Sequence, residues 1–345
     1  MATDNWTAPG TLSTSPEHLA IQISRVTIGA LTVGFVLLSV AGRGITLQTQ
    51  LLVYLVGMVA LNLPHGGYEH FSNLRNRGLP FGARYVVLYV GFVVGFVALF
   101  LIAPVVALVF AFATAVAKGG HGDLHVMEGL IGTGHLDTRF QRGLAAFVRG
   151  GAVMIVPLVF WPETFYTFSE YMVAIFEPGA LAAVAGGFEF SRLVLGGGFG
   201  LAVVAHLGLG YARGGASREW LVDAGETLLL VAYFAFVPVV VAIGLYFPLW
   251  YSLRQAGRSV AVERRNPGRT DGLAVPVAWG VLVVGALATA LVAAGLYVVA
   301  PNPLGGAALL PGIVAFYTVF VCVIALPHVV VGEWLDVKRG IWYVP

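Results

Sequence analysis

The 345 residues are 58% hydrophobic and only 10% charged, with a mean hydropathy of +0.87 and a formal charge of +2. Soluble domains carry about 25% charged residues, so the composition excludes an ordinary soluble globule and points to a bilayer. The mild positive charge leaves no electrostatic footprint for nucleic acid, and the single cysteine, Cys322 within FVCVIAL, excludes an internal disulfide and a thiolate metal cluster.

Residues 1–18 are polar, contain Pro9 and Pro16, lack the basic start and cleavage site of a signal peptide, and read as a disordered lead. Apolar stretches of ~20 residues, the length that crosses a ~30 Å hydrocarbon layer, begin near Leu19, Thr46, Tyr85, Pro104, Gly143, Leu193, Leu221, Ala274 and Gly306. Between them Thr164 to Phe188 is apolar enough to enter a membrane but contains Glu170, Glu177, Pro178 and a Gly pair. Arg75, Arg77 and Arg84 follow the second stretch, and Arg139, Arg142 and Arg149 follow the fourth. Arg254, Arg258, Arg264, Arg265 and Arg269 follow the stretch that starts at Leu221, within a segment to Gly272 that reads as a loop.

Positive charge marks cytoplasmic loops, and these three groups share a side only when the Thr164 stretch crosses. The expected fold class is therefore all-α, a polytopic integral membrane helix bundle of about ten transmembrane helices in the cell membrane, with both termini cytoplasmic. It forms one domain over 19–337, with a short tail at 338–345. In this arrangement Arg213 and Arg218 fall in an outer loop, against the charge rule.

Histidines punctuate the apolar runs. His65 and His70 close the second (NLPHGGYEH), His121 and His125 follow the fourth (AKGGHGDLHVMEG), and His135 lies ten residues beyond. His206 is inside LAVVAHLGLG, His328 is inside VIALPHVVVG, and His18 lies in the polar lead. Ionisable groups at membrane depth are costly and face a cavity or a partner. Residues four apart share a helix face, which aligns His121 with His125 and His65 with Glu69. Paired imidazoles on one face are how helical bundles present nitrogen to a metal, and a nearby carboxylate either ligates or orients them. Imidazole with carboxylate and no thiolate suits non-haem Fe(II). The alternatives are an interhelical hydrogen-bonding group at His206, a kink residue after Pro327 at His328, an interfacial side chain at His70 and a loop residue at His135. The run GGGFG at 196–200 lacks the Lys and Ser/Thr of a phosphate loop. Glu226 is either a buried polar contact or a proton group.

NLPHGGYE at 62–69 resembles the Pro-His-Gly-x-x-Asp signature of the Brp/Blh family of membrane-embedded β-carotene 15,15'-dioxygenases, with Glu69 where an Asp is usual. GGHGDLH is similar to that family's second histidine region, YFPLWYSLR (Tyr246 to Arg254) to its aromatic-Trp-His-Ser segment, and ALPH at 325–328 to its C-terminal Pro-His. The resemblance implies oxidative cleavage of the central double bond of β-carotene by O₂ at a histidine-ligated Fe(II), giving retinal. His65 and His121 would be catalytic, and the metal set would be drawn from His65, His70, His121, His125, His206 and His328, with Glu69, Asp123 and Tyr251 supporting it. The implied partners are β-carotene or a related carotenoid, O₂, the lipid bilayer and a functional link to a rhodopsin apoprotein.

Two further positions depart from the family. Tyr251 and Gln255 stand where the Trp-His-Ser-x-x-His segment has histidines, so either the remaining histidines form a rearranged set or cleavage has been lost. The alternative functions are a non-catalytic carotenoid- or retinal-binding or rhodopsin-assembly protein, and another membrane metalloenzyme acting on a lipid or carotenoid. The single HxxxH speaks against the second of these, because hydroxylases and desaturases display several such boxes.

Overall fold

The computed structural model describes residues 15–62, 83–265 and 275–336, and every regular element among them is helical. The rest of the lead and the expected tail lie outside the described residues. In chain order the α-helices are α1 (Pro16–Val40), α2 (Leu47–Leu55), α3 (Ala83–Ile102), α4 (Pro104–Leu130), α5 (Arg139–Phe160) and α6 (Pro162–Ala174). There follow α7 (Phe188–Gly214), α8 (Arg218–Phe236), α9 (Val239–Tyr246), α10 (Leu253–Arg265), α11 (Val275–Val299) and α12 (Leu309–Asp336). Two π turns, Val56–Asn62 and Phe247–Ser252, continue α2 and join α9 to α10, and a 3₁₀ segment, Ala182–Gly187, leads into α7.

Local chemistry sets the boundaries. Pro16, Pro104 and Pro162 open helices at a position whose N–H has no intrahelical acceptor. The side chains of Thr46, Thr138 and Ser217 accept from the backbone N–H three residues on and cap α2, α5 and α8. Gly215, at φ +57°, ends α7 in a conformation that side chains disfavour.

Two expectations from hydropathy are corrected. The apolar run from Leu221 is two antiparallel helices, α8 and α9, because Pro238 has no N–H and forces Val237 into the extended region (φ −86°, ψ 130°). Tyr233 Oη donates to the Ala242 carbonyl (3.1 Å), and Arg254 pairs with Glu226, 28 residues earlier, across this hairpin. The Thr164 stretch is not one crossing helix: α6 has 13 residues, ~20 Å at 1.5 Å per residue, and turns at Gly179 (φ +83°) into the 3₁₀ segment. Asn302 fastens that turn, its Nδ2 donating to the Ala174 carbonyl at 3.2 Å and its N–H to that of Ile175 at 2.9 Å. Among the described residues five helical segments are long and apolar enough to cross a membrane: Pro16–Val40, Pro104–Leu130, Arg139–Phe160, Ala182–Gly214 and Leu309–Pro327. Leu47–Val59, Val86–Ile102 and Leu287–Val299 are apolar but shorter.

The hairpin also moves Arg213 and Arg218. The α4–α5 loop packs on the α7–α8 turn, with the Gly134 N–H donating to Glu219 (2.7 Å) and Arg213 3.7 Å from Asp137. Glu17 at the start of α1 lies against Gly257 of α10. Arg139, Arg142, Arg213, Arg218 and Arg258 therefore gather at one end of the bundle, and the opposition between two arginine-bearing sides disappears.

The interior divides around α4. One apolar cluster joins α3, α4, α6, α11 and α12 through Phe96, Phe100, Phe176 and Phe320. Another joins α1, α5, α7, α8 and α9 through Ile28, Tyr233, Phe234 and Trp250. Backbones approach closely between α4 and α5: a Cβ on Gly120 would meet the Ala146 carbonyl, and one on Gly150 the Val116 carbonyl. Such small-residue contacts let helices pack where no hydrophobic difference from lipid drives them together.

Candidate functional site

The segment Lys118–His125 of α4 presents a different chemistry on each face. Gly119, Gly120 and Asp123 turn toward α5, Gly122 toward the second π turn, and Thr114, Ala115 and Lys118 toward an apolar cavity. His121 and His125 lie one helical turn apart and half-buried, and His121 follows Lys118 by three residues on a shared face.

The two π turns pack on each other, and the second packs on this helix. A π turn adds a residue to the helical circuit, re-aims the side chains beyond it, and is common at functional sites. In the second, Pro248 withholds the N–H that the α-pattern needs. In the first, the Met58 carbonyl accepts from Tyr317 Oη at 3.0 Å. The result brings Tyr251 and Gln255 onto α4: Gln255 Nε2 donates to the Gly122 carbonyl at 2.7 Å. A Cβ on Gly122 would lie 2.5 Å from the Tyr251 ring and 2.8 Å from Gln255 Nε2, so only glycine permits this approach. The aromatic-Trp segment and the second histidine region are thus in direct contact.

Behind α4 lies a buried charge network that composition conceals. Arg149, fully buried within α5, donates to Asp123, Asp223 (2.8 Å) and Glu226 (3.0 Å). Arg254, equally buried, donates to both oxygens of Glu226 (2.8 and 2.9 Å) and lies 3.1 Å from Asp123 Oδ1. Arg25 completes the set with Glu226 at 2.7 Å. Three guanidinium groups face three carboxylates, so the cluster balances its own charge. Breaking one buried pair leaves an uncompensated ion and costs about 3–5 kcal/mol.

Two imidazoles share the Asp223 Oδ2 atom, His135 Nε2 at 2.7 Å and His206 Nε2 at 3.1 Å. His206 therefore stands in the surroundings of an interhelical polar contact, on the charge-network side of α4. His135 is in the loop, as its sequence setting suggests, yet only 1% exposed. Asp123 meets guanidinium groups among the described residues, and Glu226 is a buried polar contact. His65, Glu69, His70 and the side chain of His328 lie outside the described residues. Among the described residues no group of three or more His, Cys, Asp or Glu is arranged to hold a metal.

By their place in the sequence Arg149 and Arg254 read as loop charges, and the structure buries both. The contrary signal is their company: Arg149 sits in AAFVRGGAVMIV, and Asp223 and Glu226 sit three apart in WLVDAGETLLL. Charges inside otherwise apolar runs require partners.

The cavity, about 130 Å³, is walled by α2, α4, α6, α9 and α12. Its surface is dominated by side chains such as Met58, Phe112, Phe165, Met172, Phe247 and Val321. Three wall hydroxyls bond within the fold: Thr114 and Ser169 donate to the carbonyls four residues back, and Thr318 does likewise while standing 2.7 Å from Tyr54 Oη. A site of this size resembles the ~150 Å³ apolar cavity that admits benzene, room for one section of a long hydrocarbon.

A family model described as beta-carotene 15,15'-dioxygenase matches residues 56–336, a range that includes both π turns, α4 and α12. Over 340 residues, 95% of each chain, the sequence is 52% identical to the protein named probable beta-carotene 15,15'-dioxygenase Brp in Halobacterium salinarum strains R1 and NRC-1. It is 33% identical over 326 residues, 90% of this chain and 93% of the relative, to probable beta-carotene 15,15'-dioxygenase Blh of strain NRC-1. No solved structure matches the chain. Matched by that family model over most of its length and 52% identical to a relative across 95% of both chains, the chain belongs to the β-carotene 15,15'-dioxygenase family.

Proposed function

We propose that the protein cleaves the central double bond of β-carotene with O₂ at a histidine-ligated non-haem iron, each oxygen atom ending in one of two retinal molecules. The observation that carries this reading is the docking of Tyr251 and Gln255 onto Gly122, between His121 and His125, next to an apolar cavity. His121 and His125 fit a metal because they present two nitrogens from one face of a helix, and His65, His70 and His328 would complete the set. Bound Fe(II) would supply an open position for O₂. The cavity holds the polyene in register, since selective scission needs one of several similar double bonds at the reacting centre. Asp123, held by Arg149 and Arg254, fixes the rotation of α4 and with it the direction of both imidazoles.

The arrangement fits about ten crossings, with α8 and the α9–α10 arm each spanning and α6 re-entrant. The arginine-bearing end then faces the cytoplasm, both termini lie on that side, and the polyene enters laterally from lipid. A functional link to a rhodopsin apoprotein follows from the product.

The second reading, a non-catalytic carotenoid- or retinal-binding or rhodopsin-assembly protein, is favoured by Tyr251 and Gln255 at the positions of family histidines. Metal content separates the two. In a β-carotene-producing host His121→Ala should abolish both iron retention and retinal formation, while exposed His18→Ala changes neither. Retinal at wild-type yield from His121→Ala would place the reacting centre elsewhere. The pair Tyr251→His with Gln255→His should lower activity, because the present contacts on Gly122 are lost. A gain would mark a decayed site and favour the binding protein.

A further inference from the structure

Of the nineteen cationic residues seventeen are arginine and two are lysine, Lys118 and Lys338. In the charge network behind α4 the cations are guanidinium groups, Arg25, Arg149 and Arg254. The one amine among the described residues lies in the wall of the apolar cavity, its Nζ 5.6 Å from the centre of the Tyr251 ring. Guanidinium and ammonium differ in chemistry: a lysine amine adds to carbonyl carbon and forms imines, which arginine does not do under ordinary conditions. Lys118 is also three residues, about one turn, before His121 on the same face of α4.

We propose that Lys118 is a covalent site for a long polyene aldehyde, forming a reversible imine with the product of cleavage. This rests on the reading of the cavity as the place where such an aldehyde arises. The unprotonated Nζ adds to the aldehyde carbon, a C–N bond forms as the C–O π bond breaks, the oxygen takes up one of the two amine protons, and the second leaves with it in the next step. Loss of that oxygen as water leaves C=N, and the reverse addition of water releases aldehyde and amine, with no change of oxidation state. The apolar cavity wall lines up an apolar chain with its aldehyde end at the amine. Release of product then occurs in two stages, hydrolysis of the imine and departure into lipid, so that a reactive aldehyde is held until it can leave.

The test supplies all-trans-retinal directly to the purified full-length protein in lipid nanodiscs, reduces with cyanoborohydride, and maps adducts by mass spectrometry of peptides. Lys118 should carry the retinyl group in preference to Lys338 and the N-terminal amine, and excess retinol, the same shape without the aldehyde, should suppress labelling at Lys118 alone. Lys118→Arg should remove that adduct, and Lys338→Arg should leave it. Because retinal is added from outside, an adduct at Lys118 in a chain that makes no retinal from β-carotene would contradict cleavage and support this site. Wild-type protein labelled only at Lys338 and the N-terminus, or labelled at Lys118 with no effect of retinol, would overturn the inference.

Discussion

Gly122 shows how one residue can decide whether the site forms. It has the Tyr251 ring and Gln255 where a Cβ would be, whereas a Cβ on Gly129 of the same helix would meet Arg258 Cγ at an ordinary 3.6 Å. Gly122→Ala should therefore cut retinal formation at least tenfold by separating α4 from the second π turn, and Gly129→Ala should leave it within about twofold, given that ordinary contacts adjust cheaply. Retinal yields from cells with matched protein levels check the pair, and equal yields would remove the Tyr251–Gln255 contact from the account. At this scale the paired histidines were legible because imidazoles stand out against apolar residues. The role of Gly122 was not, since glycine is common throughout the chain and its reason lies 129 to 133 residues away in the second π turn and α10.

Helices were legible from their apolar runs, but the boundary within the run from Leu221 was not. Val237–Pro238 interrupts a run in which both neighbours are as apolar as the helices, so hydropathy passes over a turn that only the missing proline N–H creates. The charge network escaped for another reason: Arg149 and Arg254 are near stretches rich in arginine, while their partners lie 26, 74, 77 and 28 residues off. That network ties α1, α4, α5, α8 and α10 together, and it should dominate the stability of this end. Arg149→Met leaves Asp123, Asp223 and Glu226 without their shared cation and should cost about 3–5 kcal/mol, seen as a clear fall in the Tm of purified protein in detergent. A surface pair such as Arg213–Asp137, both partners half exposed, should cost no more than about 1 kcal/mol when Arg213 is changed to Ala. A Tm as high for Arg149→Met as for Arg213→Ala would contradict the ranking.

For the whole molecule, the arrangement of ends is the consequence that matters most. Counting arginines along the chain places Arg213 and Arg218 opposite the other groups, and the α8–α9 hairpin removes the conflict by adding an arm where hydropathy shows a single run. Charge alone does not distinguish the two arrangements, because in the proposed topology a crossing moved from the Thr164 stretch to the α9–α10 arm leaves the parity of the later loops unchanged. Single cysteines in a Cys322→Ser background test it. Asp137→Cys and Gly215→Cys should react with an impermeant maleimide from the same side of sealed membrane vesicles, and Asn302→Cys from the other. Reaction of Asp137→Cys and Gly215→Cys from opposite sides would favour the topology in which the Thr164 stretch crosses.

Cleavage itself is tested most directly by expressing the chain in cells that accumulate β-carotene and measuring the carotenoid lost and the retinal gained. The account predicts that β-carotene falls relative to an empty-vector control and that retinal rises toward two molecules for each one consumed, with no shorter apocarotenals. Undiminished β-carotene with no retinal, in cells where the protein is present and folded in the membrane, would contradict it and leave a carotenoid-binding protein in its place.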